Sequence, residues 1–259
     1  MTNPQAIPQL IAHRGYAQRY PENTLCALEA ALRVGAHYIE FDVQFTRDAV
    51  PVVFHDADLE RVTGVKGDIR QTTAQDLRRL HAQERERFGE QFAHEPIPTL
   101  SAVLDLLLQW PAAQAFVEIK AETVERFGVA AVVQGLMAQL HACQDQCVLI
   151  SFHREVLLAA REAGMRRIGW AIREWGDEAL HKARSLTPDV LFCNYKKLPD
   201  TESALWPGPW QWALYDIVDA DTAQQWASRG AHFIETWDIG TLLSDPRFSG
   251  AGAAGRADA

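Results

Sequence analysis

The sequence predicts an α/β protein built as a (β/α)8 TIM barrel with a small insertion after the second strand. Short β-branched or apolar runs alternate with amphipathic stretches from one end of the chain to the other, the pattern of a parallel sheet wrapped by helices. Eight such runs can be named, which favours a closed barrel over the doubly wound open sheet that shows the same alternation. The length of 259 residues, with 47% apolar, suits one large barrel, for which roughly 200 to 250 residues are usual.

The first run, Gln9 to Ala12, leads into His13-Arg14-Gly15. A helix is expected over Thr24 to Val34, with Asn23 as N-cap and Gly35 as its stop. The second run, Tyr38 to Val43, carries Glu40-Phe41-Asp42, and Pro51-Val52-Val53-Phe54 reads as its continuation, delivering His55-Asp56. Asp56 to Glu95 breaks the rhythm: it is charged, contains Gly64, Gly67 and Gly89, and has only a weak helical pattern at Ala74 to Leu80. It is the expected insertion. Ala115 to Ile119 follows, ending in Glu118-Ile119-Lys120, and then come Cys147 to Ser151, Arg167 to Ala171, Val190 to Asn194, Gln211 to Tyr215 and His232 to Thr236. Helices are expected at Val124 to Cys143, Glu155 to Ala163, Asp177 to Ser185 and Thr222 to Ser228. Residues 1–248 are expected to form one barrel domain and 249–259, a Gly/Ala tail, to be flexible.

Composition narrows the partners. A net charge of -9 argues against a nucleic-acid backbone or an anionic membrane as the main partner, since both call for clustered Lys and Arg. No run of about 18 apolar residues is present, so stable membrane insertion is not expected, and the opening Met1 to Gln9 has no charged segment followed by an apolar one. The chain reads as cytoplasmic. Cys26, Cys143, Cys147 and Cys193 lack metal or disulfide spacing and read as reduced core thiols.

Reactive groups of a parallel barrel collect at the C-terminal ends of its strands. Glu40 and Asp42 stand two apart on one strand, so both leave the same face, roughly 7 Å apart. Two buried carboxylates need neutralising. With Glu118 they make an oxygen-ligand set for a hard divalent cation, Mg2+ or Ca2+, in preference to zinc. The bland alternative pairs all three with Arg14 and Lys120. His13 and His55 are imidazoles, the side-chain type that can exchange a proton near neutrality, and can serve as an acid/base pair for a phosphodiester, which needs its attacking oxygen deprotonated and its leaving alkoxide protonated. Arg14 offers a fork matching phosphate oxygens, and Lys120 a point charge beside the proposed ion.

In order and spacing, His13-Arg14-Gly15, Pro21-Glu22-Asn23-Thr24, Glu40-x-Asp42, Pro51-Val52, His55-Asp56, Leu59-x-Arg61-x-Thr63, Gly67 and Glu118-Ile119-Lys120 resemble the glycerophosphodiester phosphodiesterase family. The resemblance is close over residues 9 to 120 and looser beyond. It implies a (β/α)8 barrel and hydrolysis of a small-molecule glycerophosphodiester to glycerol 3-phosphate and an alcohol. It further implies His13 and His55 as acid/base pair, Glu40, Asp42 and Glu118 on the divalent cation, and Arg14 and Lys120 on the phosphate. The C-terminal third departs from the family pattern, with Tyr215-Asp216-Ile217-Val218 in place of Trp-Thr-Val-Asn and Glu235-Thr236-Trp237 in place of Thr-Asp. Tyr215 and Trp237 are candidates for the pocket wall. Two alternatives remain at this stage: a barrel phospholipase acting on intact lipid, and a catalytically silent barrel that binds phosphorylated ligands. The sequence leaves open the alcohol, the ion, the oligomeric state, and whether water or the glycerol 2-hydroxyl attacks.

Overall fold

The computed structural model describes residues 7–199 and 205–248; the expected C-terminal tail lies outside them. Strand β1 (Gln9–Ala12) pairs in parallel with β2 (Tyr38–Phe45), on which a short β3 (Pro51–Val53) folds back antiparallel. On its other edge β2 pairs with β4 (Gln114–Ile119), followed around the barrel by β5 (Cys147–Ser151), β6 (Ile168–Ala171), β7 (Val190–Asn194), β8 (Gln211–Tyr215) and β9 (Phe233–Thr236). Pairing of β9 with β1 closes the ring, so the eight parallel strands form the expected TIM barrel.

The expected strands are all present, with one correction. Pro51 to Phe54 does not prolong the second strand but returns along it as a hairpin. The reversal is built locally: Thr46 Oγ1 donates to Asp48 Oδ1 at 2.7 Å and accepts from the Val50 amide at 3.1 Å, while Ala49 takes a left-handed φ of 59°. The consequence is functional, because the Phe54 amide donates to the Asp42 carbonyl at 2.9 Å and brings His55 back over the end of β2.

Helix α1 (Leu25–Arg33) starts one residue later than expected. Its N-cap is Thr24, whose Oγ1 accepts from the Ala27 amide at 3.2 Å, whereas Asn23 adopts φ 58° and turns its amide to another task. The insertion holds one-turn helices α2 (Glu60–Thr63), α3 (Ala74–Leu77) and α4 (Arg85–Phe88) over a satellite core of Val52, Phe54, Leu59, Val62, Ile69 and Leu77. Helix α5 (Leu100–Leu108) was not expected. It is apolar around most of its circumference, so it lacks the polar face that marks an amphipathic helix, although Thr99 caps it. The stretch read as one helix from Val124 to Cys143 is broken into α6 (Ala121–Phe127) and α7 (Val129–Leu140) by Gly128, at φ 80° and ψ 153°. Helices α8 (Arg154–Glu162), α9 (Asp177–Leu186), α10 (Ala220–Ser228) and α11 (Ile239–Ser244) complete the outer layer.

Strand periodicity sorts side chains into two cores. On β2, Ile39, Phe41, Val43 and Phe45 join the large core between strands and helices, which sends Glu40, Asp42 and Gln44 to the barrel interior. The interior itself is packed with Ile11, Phe116, Val148, Ile150, Phe192 and Phe233. Phe116 is 1% exposed, with ring centroids 5.1 Å from Phe192 and 5.5 Å from Phe233. Gly169 fits there because a Cβ would lie 2.7 Å from Ile150 Cγ2. This aromatic plug fills the barrel beneath the polar rim.

Candidate active site

Chemistry begins where β1 ends. Arg14 and Gly15 take φ values of 56° and 83°, turning the chain across the barrel mouth. A Cβ on Gly15 would sit 2.6 Å from the Ala27 carbonyl carbon, so only glycine lets the turn pack on α1. The turn aims the Arg14 amide at Glu40 Oε2, 3.1 Å away, and puts His13 Nε2 3.9 Å from the same oxygen. The Arg14 guanidinium donates to Glu22 Oε1 at 2.9 Å and lies 3.2 Å from Asp42 Oδ2.

Glu40, Asp42 and Glu118 offer oxygens that all lie within 4.8 Å of one another. Register explains it: Asp42 stands directly opposite Glu118 in the β2–β4 ladder, and Glu40 is one inward step below. Asp42 is held from several sides. Asn23 Nδ2 donates to its Oδ2 at 2.8 Å while its own amide donates to Asn23 Oδ1 at 3.0 Å, and Lys120 Nζ donates to Oδ1 at 3.2 Å. Lys120 also donates to Glu118 Oε1 at 2.7 Å. Glu40 Oε1 is buried with no hydrogen-bond partner among the described residues.

These contacts divide the carboxylates by charge state. Burial alone raises the pKa of Asp42, but the Lys120 ammonium and Arg14 guanidinium outweigh it and hold the carboxyl far below its usual range. Glu40, equally buried but beside Asp42, is pushed well upward. Glu118 is raised by burial, with Lys120 partly offsetting the shift. The imidazole of His13 is held well below its ordinary pKa by burial and by Arg14, so it is neutral at pH 7.

His55 is reached through the hairpin. Its backbone carbonyl accepts from Gln44 Nε2 at 2.9 Å, and the other end of that fully buried amide accepts from Thr123 Oγ1 at 3.0 Å. Its Nδ1 lies 2.6 Å from Asp56 Oδ1, and Asp56 Oδ2 accepts from Arg61 Nε at 2.6 Å. Arg61 in turn donates to both oxygens of Glu22, tying the His55 loop to Arg14 through one carboxylate.

All the sequence-predicted residues therefore meet at one mouth. His13, Arg14, Asp42, His55, Glu118, Lys120 and Tyr215 line a common cavity of about 190 Å³, while Trp237 lines an adjoining hollow of about 320 Å³ with His13 and Arg14. Sequence reasoning missed four contributors. Asn23 was read as a helix cap; Arg61 and Glu22 belonged to recognisable motifs without an assigned role. Glu235 is the fourth, 3% exposed on β9, and could have been found from strand period two, since Phe233 faces inward two residues before it.

Comparison with known proteins agrees with this layout. Residues 13–126 match the glycerophosphoryl diester phosphodiesterase family model. A glycerophosphodiester phosphodiesterase from Caldanaerobacter subterraneus is 43% identical over 98 residues, 38% of this chain and 40% of the relative. One from Bacillus altitudinis is 35% identical over 147 residues, 57% of this chain and 59% of the relative. The chain thus spans about half the length of these curated relatives. In fold, it superposes on a phosphodiesterase of Oleispira antarctica in complex with the product sn-glycerol-3-phosphate with a TM-score of 0.80, at 24% identity, covering 92% of this chain and 96% of that one.

Proposed function

Through residues 13–126 the chain belongs to the glycerophosphodiester phosphodiesterase family, and from that premise we propose that it hydrolyses glycerophosphodiesters to glycerol 3-phosphate and an alcohol. The observation that carries the reading is the convergence of Glu40, Asp42 and Glu118 between two histidines at one barrel mouth.

The donor set fits a hard divalent cation, Mg2+ or Ca2+. It is all oxygen, and Glu40 Oε1 is a buried acceptor that no donor reaches among the described residues. Glu40, Asp42 and Glu118 would hold the ion, which when bound supplies Lewis-acid polarisation of a phosphoryl oxygen and neutralises its charge. Arg14 and Lys120 are the phosphate-binding cations. Both are anchored by carboxylates before substrate arrives, so little side-chain freedom is lost on binding.

The proton work is divided between the two histidines. His13, neutral at pH 7, accepts the proton of the attacking oxygen. His55, whose Nδ1 is held by Asp56 with Arg61 behind that carboxylate, is left to protonate the departing alcohol. Tyr215 and Trp237 form the wall against which the substrate rests.

The test is turnover of glycerophosphocholine by His13→Ala and His55→Ala. Each is expected to lose about 10²- to 10⁴-fold in kcat, the range for a positioned acid or base. Near-normal turnover in both would remove the assignment.

A further inference from the structure

Glu235 has no role in the reaction just described, yet it is built into the same mouth. On β9 it stands opposite Ile11, one step from the end of β1, and its side chain lines the cavity that holds His13 and Asp42. It is 3% exposed, and among the described residues its carboxylate has no hydrogen bond or ion pair. Burying an unpaired carboxylate is costly, so a site that keeps one is built for a positive or donating group. The neighbours say which. One donor atom each from His13, Glu40 and Glu235 lies within 4.8 Å of the other two, and Glu40 Oε1 is itself buried without a partner.

The cations already at the mouth are engaged elsewhere. Lys120 bridges Asp42 and Glu118, and the Arg14 guanidinium lies against Glu22 and Asp42. No ammonium or guanidinium reaches Glu235 within ion-pair distance among the described residues.

We propose that His13, Glu40 and Glu235 form a second divalent-cation seat that takes ions accepting mixed nitrogen and oxygen donors, Zn2+ above all, and that an ion there stops proton transfer at His13. One imidazole and two carboxylates match the donors Zn2+ prefers, in contrast to the all-oxygen set of Glu40, Asp42 and Glu118. Donors bound about 2.1 Å from a tetrahedral ion stand roughly 3.4 Å apart. His13 Nε2 and Glu40 Oε2, 3.9 Å apart, lie near that spacing, and the donors of the triad, all within 4.8 Å of one another, have to close by about 1.4 Å at most to take an ion. A metal on the imidazole lone pair leaves no acceptor for the proton of the attacking oxygen, so the seat is inhibitory. Binding itself does not depend on the phosphodiesterase reading; the inhibition does.

The experiment uses the full chain, stripped with chelator and kept in excess Mg2+, and titrates Zn2+ by equilibrium dialysis with metal analysis. The native protein is expected to bind one equivalent more, or at least about tenfold more tightly, than Glu235→Gln, an isosteric change that removes only the charge. X-ray absorption on the native protein at one equivalent of Zn2+ is expected to show a single imidazole in the ion's shell, which keeps the seat testable should the variant misfold. Equal Zn2+ binding by native protein and variant, or a shell without imidazole, overturns the seat. Glycerophosphodiester turnover, measured in parallel, is expected to be half-inhibited at an at least tenfold higher Zn2+ concentration in Glu235→Gln. Equal inhibition of both proteins, with Zn2+ bound through Glu235, would overturn the inhibitory role alone.

Discussion

The two halves of the barrel rim share parallel strands and differ in chemistry. Strands β1, β2 and β4 end in His13, Arg14, Asp42, Glu118 and Lys120, with His55 delivered by the hairpin, and nearly every charge is matched by a counter-charge or hydrogen bond. Strands β5 to β9 end in Ser151, Ala171, Asn194, Tyr215 and Thr236, a rim of aromatic and small side chains in which Glu235 stands unpaired among the described residues. The charged half also carries the β3 hairpin and the insertion after it, so the difference lies in the connections as well as in the side chains. One half is organised to hold an anion and move protons, and the other to shape the space around it. The family match ends at residue 126, within α6, so it covers the charged half and stops before the other.

The largest expected effect separates the halves directly. Asp42→Asn removes the charge on which Lys120, Arg14 and Asn23 converge, and should lower kcat/KM by about 10²- to 10³-fold, the cost of losing one strong electrostatic contact in a transition state. The same change at Asp216, on the opposite rim and held by Asn194 Nδ2 at 2.6 Å, should cost less than about tenfold. Steady-state kinetics on one soluble glycerophosphodiester decides. Comparable losses at both positions would break the division.

A second measurement concerns stability rather than rate. Burial and neighbouring carboxylates, Glu118 and Asp42 first among them, raise the pKa of Glu235 well above its unfolded value of about 4.3. The folded state therefore holds this proton more tightly than the unfolded chain. Its contribution to stability is complete below the unfolded pKa and is lost as pH rises through the folded one. Glu235→Gln should then stabilise the metal-free protein at pH 8 by on the order of 1–3 kcal/mol, roughly 3 to 10 °C in melting temperature, with the advantage shrinking as pH falls toward 4. Calorimetry across that range with chelator present is the check, and a destabilised variant at pH 8 would show that Glu235 has a partner in solution.

The legibility of the two halves in the sequence differs for the same physical reason. A parallel sheet wrapped by helices followed from hydrophobic alternation, because burial on both faces leaves continuous apolar runs, and the count of eight runs favoured closure over an open sheet. The charged rim was readable because Glu40-x-Asp42 and Glu118-x-Lys120 place charges on inward positions of buried strands, where a polar residue has no cheap explanation. What sequence hid were local reversals and tertiary uses of short motifs. The hairpin at Thr46 to Val50 turns on one hydroxyl and a left-handed Ala49. Asn23 looked like a cap because it precedes a helix, and only the packing of α1 against β2 reveals that its amide brackets Asp42. Glu235 was passed over because a single acid near a strand end is usually solvated, and nothing local announces that β1 and β9 meet beside it.

A third, smaller effect sharpens the proton assignment. A base whose pKa is depressed stays unprotonated into acid, so the acid limb of kcat/KM should fall below the ordinary imidazole value of about 6.5. The sign is set by burial and Arg14, both of which disfavour the imidazolium form of His13. A pH profile with an acid midpoint above that value would reassign the base.

The smallest effects belong to the other rim. Tyr215 is largely enclosed, and burial followed by nearby anionic groups drives its phenol pKa upward, so it remains a neutral hydroxyl and a hydrogen-bond donor throughout the working pH range. Tyr215→Phe keeps the ring and removes that hydroxyl. Trp237→Ala removes a wall of the hollow beside His13 and Arg14. Neither change replaces an ion ligand or a histidine, so kcat should stay within about threefold of native for both, while KM rises by roughly three- to tenfold and by different factors for different alcohols. Measuring both variants on glycerophosphodiesters that differ only in the alcohol separates wall from machinery. A fall in kcat that is equal for every alcohol would move Tyr215 into the proton-transfer chemistry, and the division of the rim would then have to be drawn one strand further round.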